Sequence, residues 1–152
     1  PFNAFLISQG IETLSLRIDR HLENTRKVVD FLAGHDQVTE VRWASRDGDP
    51  GKERADKYAP KGAGAVIGFE IEGGIEAGKK FVEGLTLHSH VANIGDVRSL
   101  AIHPASTTHS QGGDEDRLAA GVTPGLIRLA VGIEHSDDIL ADLEQGFAAA
   151  RT

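Results

Sequence analysis

Residues 64–72 alternate strictly: Ala65, Ile67, Phe69 and Ile71 fall on one side of an extended chain, and Val66, Gly68, Glu70 and Glu72 on the other. Successive strand side chains point to opposite faces, so this period of two describes a strand in a sheet with one covered face. The double glycine at 73 and 74 ends it. A second segment, residues 126–133, is apolar on both sides, Leu126, Ala130 and Gly132 alternating with Ile127, Leu129, Val131 and Ile133, which suits a more deeply buried strand. The cover for such a sheet is legible in helical periods. Ile11, Leu14, Ile18, Leu22, Val29 and Leu32 recur at spacings of three, four and seven, with Asp19, Arg20, Glu23, Lys27 and Asp30 on the other side: a long amphipathic helix. Gly10 costs roughly 1 kcal/mol against alanine in a helix, which predicts a kink or two successive helices, and Gly34 supplies the stop.

Shorter elements complete the pattern. Residues 38–44 predict a strand, 45–61 a loop with one helical turn, and 75–85 a short helix with Ala77, Phe81 and Val82 inward. Further strands are expected near 87–91 and 99–102. A brief helix follows the polar stretch 106–116 and leads into the Thr123-Pro124-Gly125 turn. Ser136 caps a final helix with Asp137 and Asp138 in its first turn and Ile139, Leu140, Leu143 and Phe147 as its apolar stripe. The sum is an α+β two-layer sandwich of about four to five mostly antiparallel strands, with helices on one face and a long amphipathic helix in front.

Composition narrows the function classes. A chain of 152 residues is long enough for one sizeable core. A net charge of -7 with scattered basic residues argues against a nucleic-acid surface. No apolar run approaches ~18 residues and no basic leader precedes an apolar core, so neither a membrane span nor a secretory signal is indicated. Absence of cysteine removes disulfides, thiolate metal sites and cysteine nucleophiles, and agrees with a cytoplasmic setting. Methionine is absent too. A chain opening in mid-pattern on Pro1, Phe2 and Asn3 reads as part of a longer protein, and Phe2, Phe5, Leu6 and Ile7 should pack on something beyond it.

Four of the seven histidines, His88, His90, His103 and His109, lie close together in sequence, but without a helical H-x-x-x-H pair, a cysteine or an acidic ligand other than Asp96 they indicate no metal. Ser99, His103 and Asp96 are too close in sequence to converge as a triad, and no G-x-S-x-G elbow is present. Gly95-Asp96 and Gly112-Gly113 lack phosphate-loop spacing and read as turns. Arg128 stands out. A guanidinium keeps its charge and needs partners, so on an apolar strand it implies either an internal ion pair with Glu70, Glu72 or Glu134, or capture of a carboxylate ligand.

Three motifs, S-H-x-A-N-I-G-D from Ser89, S-L-x-I-H-P-A-S-T-T-H from Ser99 and I-R-L-x-V-G-I-E from Ile127, together with the opening P-F-N-A-F-L, resemble the C-terminal part of the O-acetylhomoserine sulfhydrylases. These belong to the pyridoxal-phosphate (PLP) enzymes of cysteine and methionine metabolism, of fold type I, and the resemblance runs from Pro1 to about Phe147. It implies that residues 1–34 are the helix or helices leading out of a PLP domain absent from this chain, and that residues 35–152 form the small C-terminal substrate-recognition domain. It also implies that Arg128 binds the substrate α-carboxylate with Ser99 beside it, and that Asn93, His103 and His109 are supporting residues. No catalytic residue is expected in this chain. The PLP lysine, its aspartate and the phosphate cradle would lie upstream, because Lys79 and Lys80 sit on a predicted surface helix, so the fragment alone should hold no cofactor and be inactive.

The whole protein would then be a cytoplasmic homo-oligomer, a homotetramer by resemblance, replacing the acetoxy group of O-acetylhomoserine with sulfide or a thiol to give homocysteine or methionine. A sibling activity, cystathionine γ-synthase or methionine γ-lyase, and a non-catalytic module for small carboxylates are the alternatives. A metal-dependent hydrolase is the most distant.

Overall fold

The computed structural model describes residues 1–151. Its elements run α1 (Phe2–Glu12), α2 (Leu14–Ala33), β1 (Val38–Arg42), α3 (Lys52–Tyr58), β2 (Val66–Ile71), α4 (Gly74–Glu83), β3 (Ser89–His90), β4 (Leu100–Ile102), α5 (Asp114–Ala119), β5 (Leu126–Ala130) and α6 (Ser136–Ala150). One sheet has the order β1-β2-β5-β4-β3, antiparallel except for the β3–β4 pair. This is the expected α+β sandwich. The alternating strand lies next to the apolar one, and β5 is buried on the side of Ile127 and Leu129 and half-buried on the side of Arg128.

Period two divides the sheet cleanly. Ile67, Phe69 and Ile71 of β2, Val41 of β1, Ala101 of β4, and Ile127 and Leu129 of β5 join the core with α2, α4 and α6. Phe69, Phe81 and Phe147 are fully buried there, with ring centroids 4.8 to 5.9 Å apart and tilted or edge-on, the arrangement that aligns positive ring edges with negative faces. The opposite face carries a row set by the strand register: Arg42 pairs with Gly68, Gly68 with Arg128, and Arg128 with Ile102.

Several elements differ from expectation. The helical break falls at Thr13 (φ -106°, ψ 5°), and Gly10 continues α1. α2 packs only from His21 onward: Leu22, Val28, Val29 and Leu32 are buried, whereas Leu14 and Ile18 of α2 are exposed together with Phe2, Phe5, Leu6, Ile7 and Ile11 of α1. Residues 45–61 hold a seven-residue helix rather than a single turn. The cap of α6 is His135, whose Nδ1 accepts from the Asp137 amide, while Ser136 is the first helical residue.

The turn before β3 is held by a buried carboxylate on α6. Asp142 accepts from the backbone amides of Thr86, Leu87 and His88, from the Thr86 hydroxyl and from His88 Nδ1, at 2.7 to 3.0 Å. Burial alone would raise its pKa, but the His88 side chain and the three amides outweigh that and hold the carboxyl well below the usual range. Burial lowers the pKa of His88 against the opposing pull of Asp142, which keeps the imidazole neutral with Nδ1 as donor. Both groups have folded-state values below their ordinary ones. The unfolded chain therefore takes up protons first as pH falls, and stability present at neutral pH is lost on acidification. We expect a loss beginning near the ordinary His value of 6.5 and steepening below the ordinary Asp value of 3.8. Asp142→Ala should cost about 3 kcal/mol, since it strands buried donors, and should flatten the acid limb of a melting-temperature profile.

Candidate functional site

Arg128 lies at the centre of β5 on the face away from the helices, between Gly68 and Ile102 of the flanking strands. Beside it opens a cavity of about 510 Å³ walled by Val66, Gly68, Ile102, Pro104, Val122 and Leu126, with Arg42, Thr108, His109 and Arg128 as its polar members. Strand register builds this space: Gly68 supplies no side chain between the two arginines, and the chain after β4 arches over the sheet.

The two arginines differ electrostatically. Arg42 is paired with Glu40 and Glu70, both at 2.9 Å, and Glu70 also accepts from the Thr123 hydroxyl. Arg128 forms no ion pair among the described residues; its Nη2 donates to the carbonyl of Asn93 at 3.1 Å. Neither Glu70 nor Glu134 meets it, because each is engaged elsewhere. A half-buried guanidinium with only a carbonyl partner, at the edge of an apolar cavity, has the donors and the charge for a carboxylate.

Ser99 is not brought to Arg128. By strand alternation it shares its side with Ala101, which pairs with Leu129 in the core, whereas Arg128 pairs with Ile102 on the other face. Ser99 is fully buried, its hydroxyl donating to Glu134 Oε2 and accepting from the Gly132 amide, both at 2.9 Å. Asn93 is the neighbour of Arg128 instead, exposed in the loop between β3 and β4. His103 is buried, with Nε2 2.8 Å from the Pro124 carbonyl and Nδ1 2.8 Å from the Ser106 hydroxyl. Nε2 therefore carries the proton, and burial lowers the pKa and keeps the ring neutral. His109 lines the cavity and pairs with the Thr108 hydroxyl.

Contacts invisible to sequence reading fasten this region. On α2, His21 Nδ1 lies 2.6 Å from the Val131 carbonyl, and Asn24 Nδ2 donates to the carbonyls of Gly132 and Glu134, both at 2.9 Å. Separations above one hundred residues leave no local signal; the one hint is a histidine and an asparagine within an amphipathic helix. Among the described residues no group of three or more His, Asp or Glu is arranged to hold a metal. Lys27, Lys52 and Lys79 are tied to surface carboxylates, Lys57 lies over the Tyr58 ring, and no lysine lines the Arg128 cavity.

The family described as Cys/Met metabolism PLP-dependent enzyme matches residues 1–148. The O-acetyl-L-homoserine sulfhydrylase of Leptospira meyeri is 53% identical over 146 residues, which is 95% of this chain and 33% of that protein. An L-methionine gamma-lyase of Fusobacterium nucleatum subsp. polymorphum is 46% identical over 146 residues, 96% of this chain and 37% of that protein. The crystal structure of a putative O-acetylhomoserine (thiol)-lyase from Campylobacter jejuni, carrying N'-pyridoxyl-lysine-5'-monophosphate, superposes with a TM-score of 0.89 at 39% identity. It covers 97% of this chain and 35% of that one. The chain thus spans about a third of the length of the relatives it matches.

The Ser99–Glu134 contact demands glycine at 132. A Cβ there would meet Glu134 Oε2 and the Ser99 amide and come within 2.6 Å of the Arg98 carbonyl carbon. Gly132→Ala is expected to destabilise by about 1–3 kcal/mol. Gly10→Ala, with nothing within 4 Å, should stabilise slightly through helix propensity. Thermal midpoints of the two variants check both.

Proposed function

The chain belongs to the Cys/Met metabolism PLP-dependent enzyme family, and from that premise we propose that it is the C-terminal, substrate-recognising part of an O-acetylhomoserine sulfhydrylase. The observation that carries this reading is the charge of Arg128, unpaired by any described carboxylate at the edge of an apolar cavity. Its two-pronged guanidinium binds the α-carboxylate of the amino-acid substrate, and the Asn93 loop closes beside it. Asn93 takes the neighbouring role that the resemblance assigned to Ser99, whose hydroxyl is already engaged in a buried contact.

Fixing the carboxylate orients the substrate and converts binding into positioning of the reacting γ-carbon. Pyridoxal phosphate, held by the remainder of the protein, supplies the electron sink for replacement of acetate by sulfide or a thiol. Residues 1–34 connect to that remainder, and the exposed apolar side of α1 packs against it; residues 35–152 form the recognition domain. We place the complete protein in the cytoplasm as a homo-oligomer. A second reading, methionine γ-cleavage, is favoured by the likeness to the Fusobacterium lyase.

In the complete protein, Arg128→Ala should raise KM for O-acetylhomoserine at least about tenfold, while cofactor absorbance is retained. Arg128→Lys should restore little, because an ammonium lacks the planar pair of donors. Unchanged KM in both variants would sink the assignment. Comparing turnover of O-acetylhomoserine plus sulfide with turnover of methionine decides between the two activities, and no turnover of either would favour a non-catalytic carboxylate-binding module.

A further inference from the structure

We infer that Glu134 is a positioning residue for the carboxylate site: by holding Ser99 it fixes one stem of the 91–98 loop and so sets Asn93 against Arg128. This rests on the reading of Arg128 as the carboxylate anchor. Glu134 takes both donors of Ser99, the amide on Oε1 at 2.7 Å and the hydroxyl on Oε2 at 2.9 Å. Two converging donors suit a carboxylate, which is acceptor-only and strengthens each bond with its charge. The next tie on the same stem is the Ile133 amide on the Val97 carbonyl at 2.9 Å.

Glu134 is itself braced. Its carbonyl accepts from Asn24 at 2.9 Å and Arg20 at 3.4 Å, and the main chain just before it is held by His21 and Asn24 at Val131 and Gly132. The other stem is fastened by Asp142 at Thr86, Leu87 and His88. Between the stems the tip is largely exposed, and among the described residues its one long-range side-chain hydrogen bond is the Arg128–Asn93 contact. A tip with so little of its own to hold it takes its place from its stems. Arg128 lies in β5 and Glu134 six positions further on, in the bend that follows the strand, so the segment that presents the cation also leads into the residue that sets the loop facing it. Ser99 and Arg128 are on opposite sides of the sheet, which means Glu134 acts through the loop and not on the ligand.

The test uses the complete, cofactor-loaded protein. Glu134→Ala should raise KM for O-acetylhomoserine by about tenfold with kcat within about threefold, and should speed deuterium uptake in residues 91–99. Glu134→Gln keeps an acceptor for the Ser99 amide and should recover most of the affinity. Ser99→Ala keeps that amide bond and should raise KM less than Glu134→Ala. If Glu134→Ala does not accumulate as folded protein, Glu134→Gln decides: a smaller KM rise with faster exchange in 91–99 supports the inference, and wild-type values of both overturn it. Unchanged KM and exchange in Glu134→Ala, alongside a raised KM in Arg128→Ala, overturns the role of Glu134 alone. Unchanged KM in Arg128→Ala removes the underlying reading and this inference with it. A KM rise larger in Ser99→Ala than in Glu134→Ala also overturns it, by making the hydroxyl a direct substrate contact.

Discussion

Two carboxylates replace the hydrogen bonds that one edge of the sheet is too short to make for itself. β3 has two residues and β4 three, so the ladder between them can hold only a few amides. Asp142 collects the donors of Thr86, Leu87 and His88, and Glu134 those of Ser99. Each comes from a segment anchored in the core, Asp142 from α6 through Ile139, Leu143 and Phe147 and Glu134 from the stretch just after β5 through Val131. Buried backbone donors must find acceptors, and here side chains far away in sequence supply them. The loop that meets Arg128 hangs between these two points.

The sheet has one dry face and one face of mixed character, and chemistry collects on the second. Three helices seal the first around the phenylalanine cluster. On the second, Gly68 leaves space between Arg42 and Arg128. Charge separates the arginines: Arg42 is neutralised by Glu40 and Glu70, while Arg128 has a carbonyl partner only. The fold thus pairs one arginine twice and leaves its neighbour to a main-chain oxygen, with apolar walls beside it, a setting in which charge interactions are stronger than in open water.

Much of the fold was legible because it rests on local periods. The strand through Phe69, the strand through Arg128 and the helix through Ile139 and Phe147 follow from alternation or helical spacing. Terminal residues were less legible: His135 caps α6 in place of Ser136 because a side-chain acceptor one position earlier reaches the Asp137 amide. The long helical period overstated the packing of its first half, since a stripe in sequence shows an apolar side and not what covers it; Ile11, Leu14 and Ile18 are exposed.

The candidate site shows the same division. Sequence alone determined that residues 126–133 form an apolar strand with a permanent cation, and its motifs pointed to the right family. It also determined that Ser99 and Ala101 share a side opposite Leu100 and Ile102. Only tertiary structure decided which of those sides faces Arg128, because alternation defines two faces within a strand and says nothing about the register between strands. The register sets Ile102 against Arg128. That single choice turns Ser99 inward to Glu134 and leaves the place beside the guanidinium to Asn93, since a shift of one residue exchanges the faces of a strand.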